Sequence, residues 1–307
     1  MTDYRYGRKL HGIQKDVHEK ISDWISTIQD EKVKELAKAN TIVTGGAIAS
    51  MLLGEKVNDY DVYFRDFETT VAVAEYYANF IREKYKGGKQ TLSVLYGDNT
   101  YELVASEDDD SLAGYIRWTF EQNPDRVFFN VNDNGFTSFE KKSFKKKYRK
   151  YRPVVISNNA ISLSDKVQLV TRFYGNPKEI HNNYDFVHAT CYYDYGKKEL
   201  VTKKKALLSL MSRTLEYHGS LYPVASIFRM KKFLERGWRI SAGEQFKIMY
   251  QISKLDLNNM HVLRDQMVGV DAAYLWKLLQ LLKESETIDN NTIFNAVENV
   301  FNNTEFN

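Results

Sequence analysis

The sequence of 307 residues contains one cysteine, Cys191, and no long uninterrupted apolar segment. A single cysteine excludes an intramolecular disulfide and is typical of a reducing compartment. No apolar run approaches the roughly 18 residues that a membrane-spanning helix needs, and the first twelve residues lack the apolar core of a secretory signal. These absences predict a cytoplasmic protein without a membrane partner.

Net charge is also small, +3, so overall charge does not by itself indicate a nucleic-acid-binding protein. The charges are unevenly distributed, however: residues 107–110 are all acidic, and residues 141–152 are mostly basic with interleaved aromatic residues. Lysines can contact phosphates and aromatic rings can stack on unpaired bases. The basic run predicts nucleic-acid contacts, with a solvated surface loop as the alternative. The candidate residues are Lys145, Lys146, Lys147, Tyr148 and Arg149.

Hydrophobic periodicity and turn signals divide the chain into two parts. The predicted elements are a helix over 12–38, strand 41–44, a helix ending at 53, strand 59–64, helix 68–85, a hairpin over 90–105, two strands over 152–173 on either side of a turn at Asn158 and Asn159, and a strand over 184–193. Amphipathic helices follow from residue 199 onward. The pattern predicts an α+β fold, with a mixed sheet and flanking helices over residues 1–198, an insertion at about 106–150, and an all-α domain over 199–307.

Two carboxylates lie in the segment TGGAIASMLLGEKVNDYDVYF, residues 44–64. Asp59 and Asp61 are two positions apart on a predicted strand, so they share one face and can bridge divalent metal ions. Upstream, Gly45 and Gly46 place backbone without side chains at the start of a helix, where N–H groups and the helix dipole favour phosphate oxygens. Together these features predict a site for a nucleoside triphosphate with Mg²⁺ between its phosphates and the Asp pair.

Each half of this pattern is common when it occurs alone. A pair of aspartates often decorates an exposed strand, and a glycine pair often forms an ordinary turn. In the loop before the strand, Lys56 and Asn58 are candidate phosphate contacts, although a plain turn explains them as well. The combination of strand, glycine pair, helix and aspartate pair favours chemistry over a structural role.

The segment resembles the signature of the DNA polymerase β-like nucleotidyltransferase superfamily. It is most similar to the bacterial CCA-adding enzyme and poly(A) polymerase group, whose motif runs roughly GG-x-V-R-D-x-L-L-G, followed by D-x-D. The matching residues are Gly45, Gly46, Leu52, Leu53, Gly54, Asp59 and Asp61. Ala49 and Ser50 replace the Arg-Asp pair of that group.

A looser similarity to the same group appears downstream, over residues 183–240. Asp185 and Phe186 match its Asp-Phe pair, while Asn183 and Tyr184 stand where the group has two arginines. The stretch 222–238 keeps a Pro-to-Gly-aromatic spacing, but the E-D-x-x-R pattern that reads the incoming base is absent. The resemblance implies metal binding by Asp59 and Asp61.

Further site residues follow from the same comparison. The resemblance implies that Asp185 is either a third metal-binding carboxylate or a group that contacts the nucleotide ribose. The alternative is that Asp185 is a solvated carboxylate at the edge of a strand. On the helix that would flank the cleft, Arg229 and Lys232 are candidate nucleotide contacts, and a solvated basic face is the alternative. His188 and Cys191 lie close to Asp185, but no further ligand completes a zinc set, so both are predicted to be core or supporting residues.

The resemblance implies an enzyme that uses two Mg²⁺ ions to transfer NMP from an NTP, with ATP as one candidate, and that releases pyrophosphate. An RNA 3′ end, tRNA-like among the candidates, is the implied acceptor, which would place the enzyme in tRNA processing. Two alternatives remain open at this stage. One is nucleotidyl transfer to a protein or small molecule, and the other is a catalytically silent RNA-binding relative.

Overall fold

The computed structural model describes residues 7–84, 92–97, 112–131, 136–139, 150–266 and 290–301. The helices are α1 Leu10–Ser26, α2 Glu31–Asn40, α3 Gly46–Leu53, α4 Phe67–Lys84, α5 Leu112–Gln122, α6 Pro177–His181, α7 Lys204–Ser212, α8 Pro223–Glu235, α9 Ala242–Ile252, α10 Met260–Gln266 and α11 Asn290–Phe301. The strands are β1 Thr41–Thr44, β2 Tyr60–Phe64, β3 Ser93–Leu95, β4 Phe128–Asn130, β5 Phe136–Ser138, β6 Pro153–Ser157, β7 Ala160–Leu163, β8 Val167–Tyr174, β9 Tyr192–Asp194, β10 Glu199–Val201, β11 Thr214–Leu215 and β12 Arg239–Ile240.

A mixed sheet forms the centre of the N-terminal part, with the strand order β10-β9-β1-β2-β8-β7-β6-β5. Strands β2 and β8 run parallel, and the other neighbouring pairs in this sheet are antiparallel. Helices predominate after residue 204, joined there by the short parallel pair β11–β12. The predicted α+β class, with a mixed sheet followed by a helical part, is confirmed. No described helix is both long enough and apolar enough to cross a membrane.

One face of the sheet is covered by α1, α2 and α4. Their apolar stripes pack with alternate residues of the central strands, including Val43 of β1 and Val62 of β2. Trp24 is fully buried in this core and donates its indole N–H to the Tyr77 hydroxyl at 2.9 Å, which links α1 to α4. Because side chains alternate along a strand, the neighbouring residues Thr44 and Asp61 face the opposite side.

A second core joins the helical part to the sheet. Ala49 of α3 packs there with residues of α7, α9 and the β11–β12 pair. Trp238 is 3% exposed and packs against Phe233 of α8, which joins α8 to the same core. Of the basic residues of α8, Arg229 lies close enough to pair with Asp185 and to act electrostatically on Asp61.

Several predicted boundaries differ from the structure for identifiable reasons. The helix predicted over 12–38 is two helices, because Asp30 accepts a hydrogen bond from the Val33 N–H and starts α2. The region 152–173 contains three strands, with the predicted turn at Asn158 and Asn159 and a second turn at residues 164–166 that has no glycine. Asp165 and Lys166 adopt left-handed backbone angles there, which a sequence pattern does not reveal.

The strand predicted over 184–193 is mostly irregular. Residues 187–189 form a 3₁₀ turn and only Tyr192–Asp194 is strand, so the β-rich composition reflects burial. Residues 92–97 of the predicted hairpin are described, and Ser93–Leu95 pairs with β4; the rest of the hairpin lies outside the described residues. The main sheet extends to β10, just past residue 198, and the insertion predicted at about 106–150 is described only in part.

Candidate active site

The glycine turn lies between β1 and α3. Gly45 has φ +97° and ψ −152°, a conformation that only glycine adopts readily, and its N–H donates to the Ala189 carbonyl at 3.1 Å. Gly46 is exposed and begins α3, whose cap has no side-chain acceptor. The first N–H groups of α3 therefore lie at the positive end of the helix dipole without a capping side chain.

The two aspartates lie beside this turn. Asp59 is exposed and immediately precedes β2, while Asp61 is the register partner of Thr44, so it lies next to Gly45. A methyl group added at Gly45 would approach Asp61 Oδ2 to 2.7 Å and the Tyr184 hydroxyl to 3.3 Å. The turn and the carboxylate therefore form one continuous surface with no room for a side chain between them.

The Asp61 carboxyl has a strongly perturbed pKa. Removal from water and, as a smaller effect, the negative charge of Asp59 together raise this pKa from 3.8 to about 7, even though the positive charge of Arg229 lowers it. Desolvation together with a neighbouring like charge is a common signature of functional carboxylates. A divalent cation at the pair would offset the repulsion between Asp59 and Asp61 that Arg229 compensates only in part.

Asp185 and Arg229 form an ion pair at the same cleft. Arg229 Nη1 of α8 donates to Asp185 Oδ2 at 2.6 Å, and the Asp185 side chain is 13% exposed. Because Arg229 also acts electrostatically on Asp61, both carboxylates lie within its range. The structure thus brings Asp185 and Arg229 to the aspartate pair, with Asp185 engaged by the guanidinium.

Two tyrosines line the Asp61 side of the sheet. Tyr63 lies two positions beyond Asp61 on the same strand face, and its ring packs against Tyr184. The Tyr184 hydroxyl is buried without a hydrogen-bond partner of normal geometry among the described residues. Burial raises the pKa of both phenols, so both stay neutral donors. Sequence reasoning noted Tyr184 only as a replacement for an arginine and missed Tyr63.

A buried polar chain supports the glycine turn from behind. Lys203 Nζ donates to His181 Nδ1 at 2.8 Å, so the ring proton resides on Nε2 and is donated to Thr44 Oγ1, also at 2.8 Å. Thr44 in turn donates to the Cys191 carbonyl at 2.9 Å. Burial and the nearby Lys203 lower the pKa of His181 to about 3, which keeps the ring neutral. These residues are distant in sequence, and no local pattern marks them.

The other predicted residues lie in less organised surroundings. Lys56 and Asn58 are exposed in the loop before β2, and Lys232 is exposed on α8. His188 and Cys191 are buried, as predicted for core residues, and His188 packs against the Phe233 ring at 4.5 Å. The predicted nucleic-acid contacts at residues 145–149 lie outside the described residues.

The Arg229–Asp185 pair makes the first testable prediction. Changing Arg229 to Gln leaves a largely buried carboxylate without its cation, and we expect the free energy of unfolding in urea to fall by about 1–3 kcal/mol. Lys232→Gln, on the same helix but exposed, should change it by no more than about 0.5 kcal/mol. Equal effects of the two substitutions would show that the ion pair does not contribute.

Comparison with known proteins identifies the family. The family described as Gabija anti-defense 2 family protein matches residues 15–213, more than half of the chain. The chain belongs to the Gabija anti-defense 2 family. The matched segment contains the glycine turn, Asp59, Asp61 and Asp185, whereas Arg229 lies beyond its end.

A curated member of the family, Gabija anti-defense 2 of Bacillus phage SPbetaL7, is 20% identical over 259 residues. That alignment covers 84% of this chain and 48% of the phage protein, so the chain spans about half the length of that relative.

Solved structures with a similar arrangement include CCA-adding enzymes. The Thermotoga maritima CCA-adding enzyme complexed with tRNA is 12% identical at a TM-score of 0.36, covering 94% of this chain and 57% of that one. The Bacillus stearothermophilus CCA-adding enzyme in complex with CTP is 10% identical at a TM-score of 0.37, covering 85% and 52%. Because neither TM-score reaches 0.5, these similarities do not bear on the chemistry of the chain. That chemistry is inferred from the residues of its own site.

Proposed function

We propose that this protein is a divalent-metal-dependent nucleotidyltransferase. The observation that carries the proposal is the contact between Gly45 and Asp61, which joins a phosphate-binding turn to a metal-binding carboxylate pair. Either feature alone has many structural explanations. Their direct juxtaposition, with a carboxyl pKa near 7, favours a site built for a metal-bound triphosphate.

The residues present fit a magnesium ion. Mg²⁺ takes one or two protein carboxylates, several waters and substrate phosphates, and Asp59 and Asp61 supply the carboxylates. Among the described residues no group of three or more His, Cys, Asp or Glu side chains forms a closed metal site, which suits an ion shared with substrate. The buried Tyr184 hydroxyl, which has no hydrogen-bond partner of normal geometry among the described residues, lies beside Gly45 and could donate to a ligand oxygen.

The proposed reaction joins an acceptor oxygen to the α-phosphorus of an NTP. The bond from that phosphorus to the bridging oxygen breaks, pyrophosphate leaves, and the acceptor proton passes to solvent. Bound metal would lower the acceptor pKa and neutralise the leaving group. In this arrangement the N–H groups of α3 hold phosphate oxygens, and Arg229 provides positive charge at the other side of Asp61.

An RNA acceptor is favoured by a surface on α9. Phe246 and Tyr250 are 63% and 53% exposed, their rings are stacked with centroids 6.4 Å apart, and Lys254 Nζ lies 4.2 Å from the Tyr250 centroid. Exposed stacked rings beside a lysine are suited to unpaired bases and their backbone. We therefore infer transfer to an RNA end, with the α9 surface as one contact of that RNA.

Transfer to a protein or small molecule is the second candidate. Two observations favour it: the chain lacks the E-D-x-x-R base-reading pattern, and its relative is named as an anti-defense protein. In that case the modified acceptor would be a component of the Gabija defense that the name denotes. Both candidates require Asp59 and Asp61, and they differ only in the molecule that receives the nucleotide.

The deciding experiment uses each α-³²P-labelled NTP in turn, with Mg²⁺, total RNA and a bacterial protein extract. We expect label on RNA, abolished by EDTA and by Asp59→Asn with Asp61→Asn. Label that survives RNase but not protease would establish the second candidate. RNA binding without label under any condition would establish a silent relative and overturn the proposal. Lys15→Ala, an exposed change on α1, serves as the activity control.

A further inference from the structure

Asp59 and Asp61 alone provide only two protein ligands for a divalent ion, so a further protein ligand can be sought. Asp185, the expected third carboxylate, accepts hydrogen bonds from Arg229 at 2.6 Å and from the Phe186 N–H at 3.1 Å. A carboxylate held by a guanidinium is a poor candidate for metal coordination, because binding the ion would require loss of the ion pair. Another oxygen next to Asp61 is therefore of interest.

Gln168 occupies the adjacent position in the sheet. Strands β2 and β8 are the parallel neighbours of the main sheet, and Gln168 is the register partner of Asp61. Its neighbours Val167 and Leu169 are fully buried in the core beneath the sheet, so alternation places Gln168 on the face that carries Asp61. Adjacent strands lie about 4.8 Å apart, which is within reach of two ligands of one ion.

The Gln168 side chain is available for this role. It is partly exposed, and it makes no side-chain hydrogen bond within the part of the chain that the structure describes. Amide carbonyl oxygens are ordinary ligands of hard divalent cations. An amide also adds an oxygen without adding a third negative charge beside Asp59 and Asp61, whose mutual repulsion is already a cost.

We propose that Gln168 supplies a neutral oxygen ligand to the divalent cation that Asp59 and Asp61 hold. This rests on the proposed function, since it assigns a further residue to the same metal site. The row Thr44, Asp61, Gln168, Ser162 then runs across three strand pairings on one face of the sheet. In this row Gln168 is next to the metal site and Ser162 is one strand farther away.

The test measures Mn²⁺ binding to the full chain without nucleotide, from the free Mn²⁺ signal in electron paramagnetic resonance. Gln168→Met keeps the side-chain length but removes the oxygen, and we expect about tenfold weaker binding. Gln168→Glu restores an oxygen and should bind Mn²⁺ at least as tightly as the wild type. Ser162→Ala, on the same face one strand away, should match the wild type.

The outcomes separate the two proposals. Wild-type affinity in Gln168→Met, with binding lost in Asp59→Asn plus Asp61→Asn, would refute the role of Gln168 and leave the proposed function standing. If Gln168→Met and Gln168→Glu weaken Mn²⁺ binding equally, Gln168 has a structural role, and its proposed coordination of the ion is refuted. If the Met variant is unfolded by circular dichroism, the Glu variant decides alone: weaker binding overturns the inference. No Mn²⁺ binding by the wild type would overturn the metal site itself.

Discussion

Alanine at position 45 is expected to abolish nucleotidyl transfer, with at least a 100-fold loss of rate. The added methyl would lie 2.7 Å from Asp61 Oδ2, so the carboxylate and the turn must move apart. Displacements of about 1 Å at a reacting centre can cost a factor of about 100. Gly45 also has φ +97°, and an alanine there costs about 1–3 kcal/mol of stability. Label transfer and thermal unfolding measure the two effects.

Two other glycines serve as controls for this substitution. At Gly46 a methyl group meets nothing within 4 Å, so Gly46→Ala should leave the melting temperature close to that of the wild type. Gly12, within α1, is equally unobstructed, and Gly12→Ala should retain full activity with a stability gain of about 0.5–1 kcal/mol. A Gly45→Ala protein as stable and active as the Gly12→Ala protein would contradict the assigned geometry.

Asparagine at position 61 is expected to remove activity while stabilising the protein without metal. The folded-state pKa of Asp61 is raised to about 7 from 3.8, so the folded protein holds this proton more tightly than the unfolded chain. The contribution of Asp61 to the free energy of unfolding of the wild type therefore decreases as the pH rises from about 4 to 7. The shift of about 3 units corresponds to about 4 kcal/mol at most, and partial exposure reduces the expected gain to about 1–2 kcal/mol.

Melting curves at pH 5 and pH 8 provide the measurement. The Asp61→Asn variant should exceed the wild type clearly at pH 8 and much less at pH 5. Added Mg²⁺ should narrow the difference at pH 8, because the ion stabilises only the carboxylate form. Asp59→Asn, at an exposed position, should abolish activity with little change in melting temperature. An Asp61→Asn protein less stable than the wild type at pH 8 would contradict this account.

These two substitutions concern residues that the sequence alone indicates. Gly45, Gly46, Asp59 and Asp61 lie within 17 residues of one another, and strand and helix periodicity is enough to place them around one turn. Local spacing determines such a site because alternation along a strand and the start of a helix are local properties. The α+β class follows from the same kind of pattern, since the strand signals are concentrated before residue 199.

Local spacing predicts secondary structure less well where a buried segment has the composition of a strand without being paired as one. The segment 184–193 is rich in β-branched and aromatic residues because it is buried beneath α7, not because it is paired throughout. The turn at Asp165 and Lys166 contains no glycine or proline. Tertiary contacts impose both conformations, and neither composition nor periodicity contains that information.

The sequence by itself determined the glycine turn, the aspartate pair and the order of a sheet-forming part before a helical part, since each depends on residues that are neighbours along the chain. The tertiary structure alone decided which distant groups surround them. It paired Asp185 with Arg229, placed Lys203 and His181 behind Thr44, and set Gln168 beside Asp61 through a parallel strand pairing. Strand order and helix packing join segments that are 22 to 137 residues apart, and only the folded chain specifies those contacts.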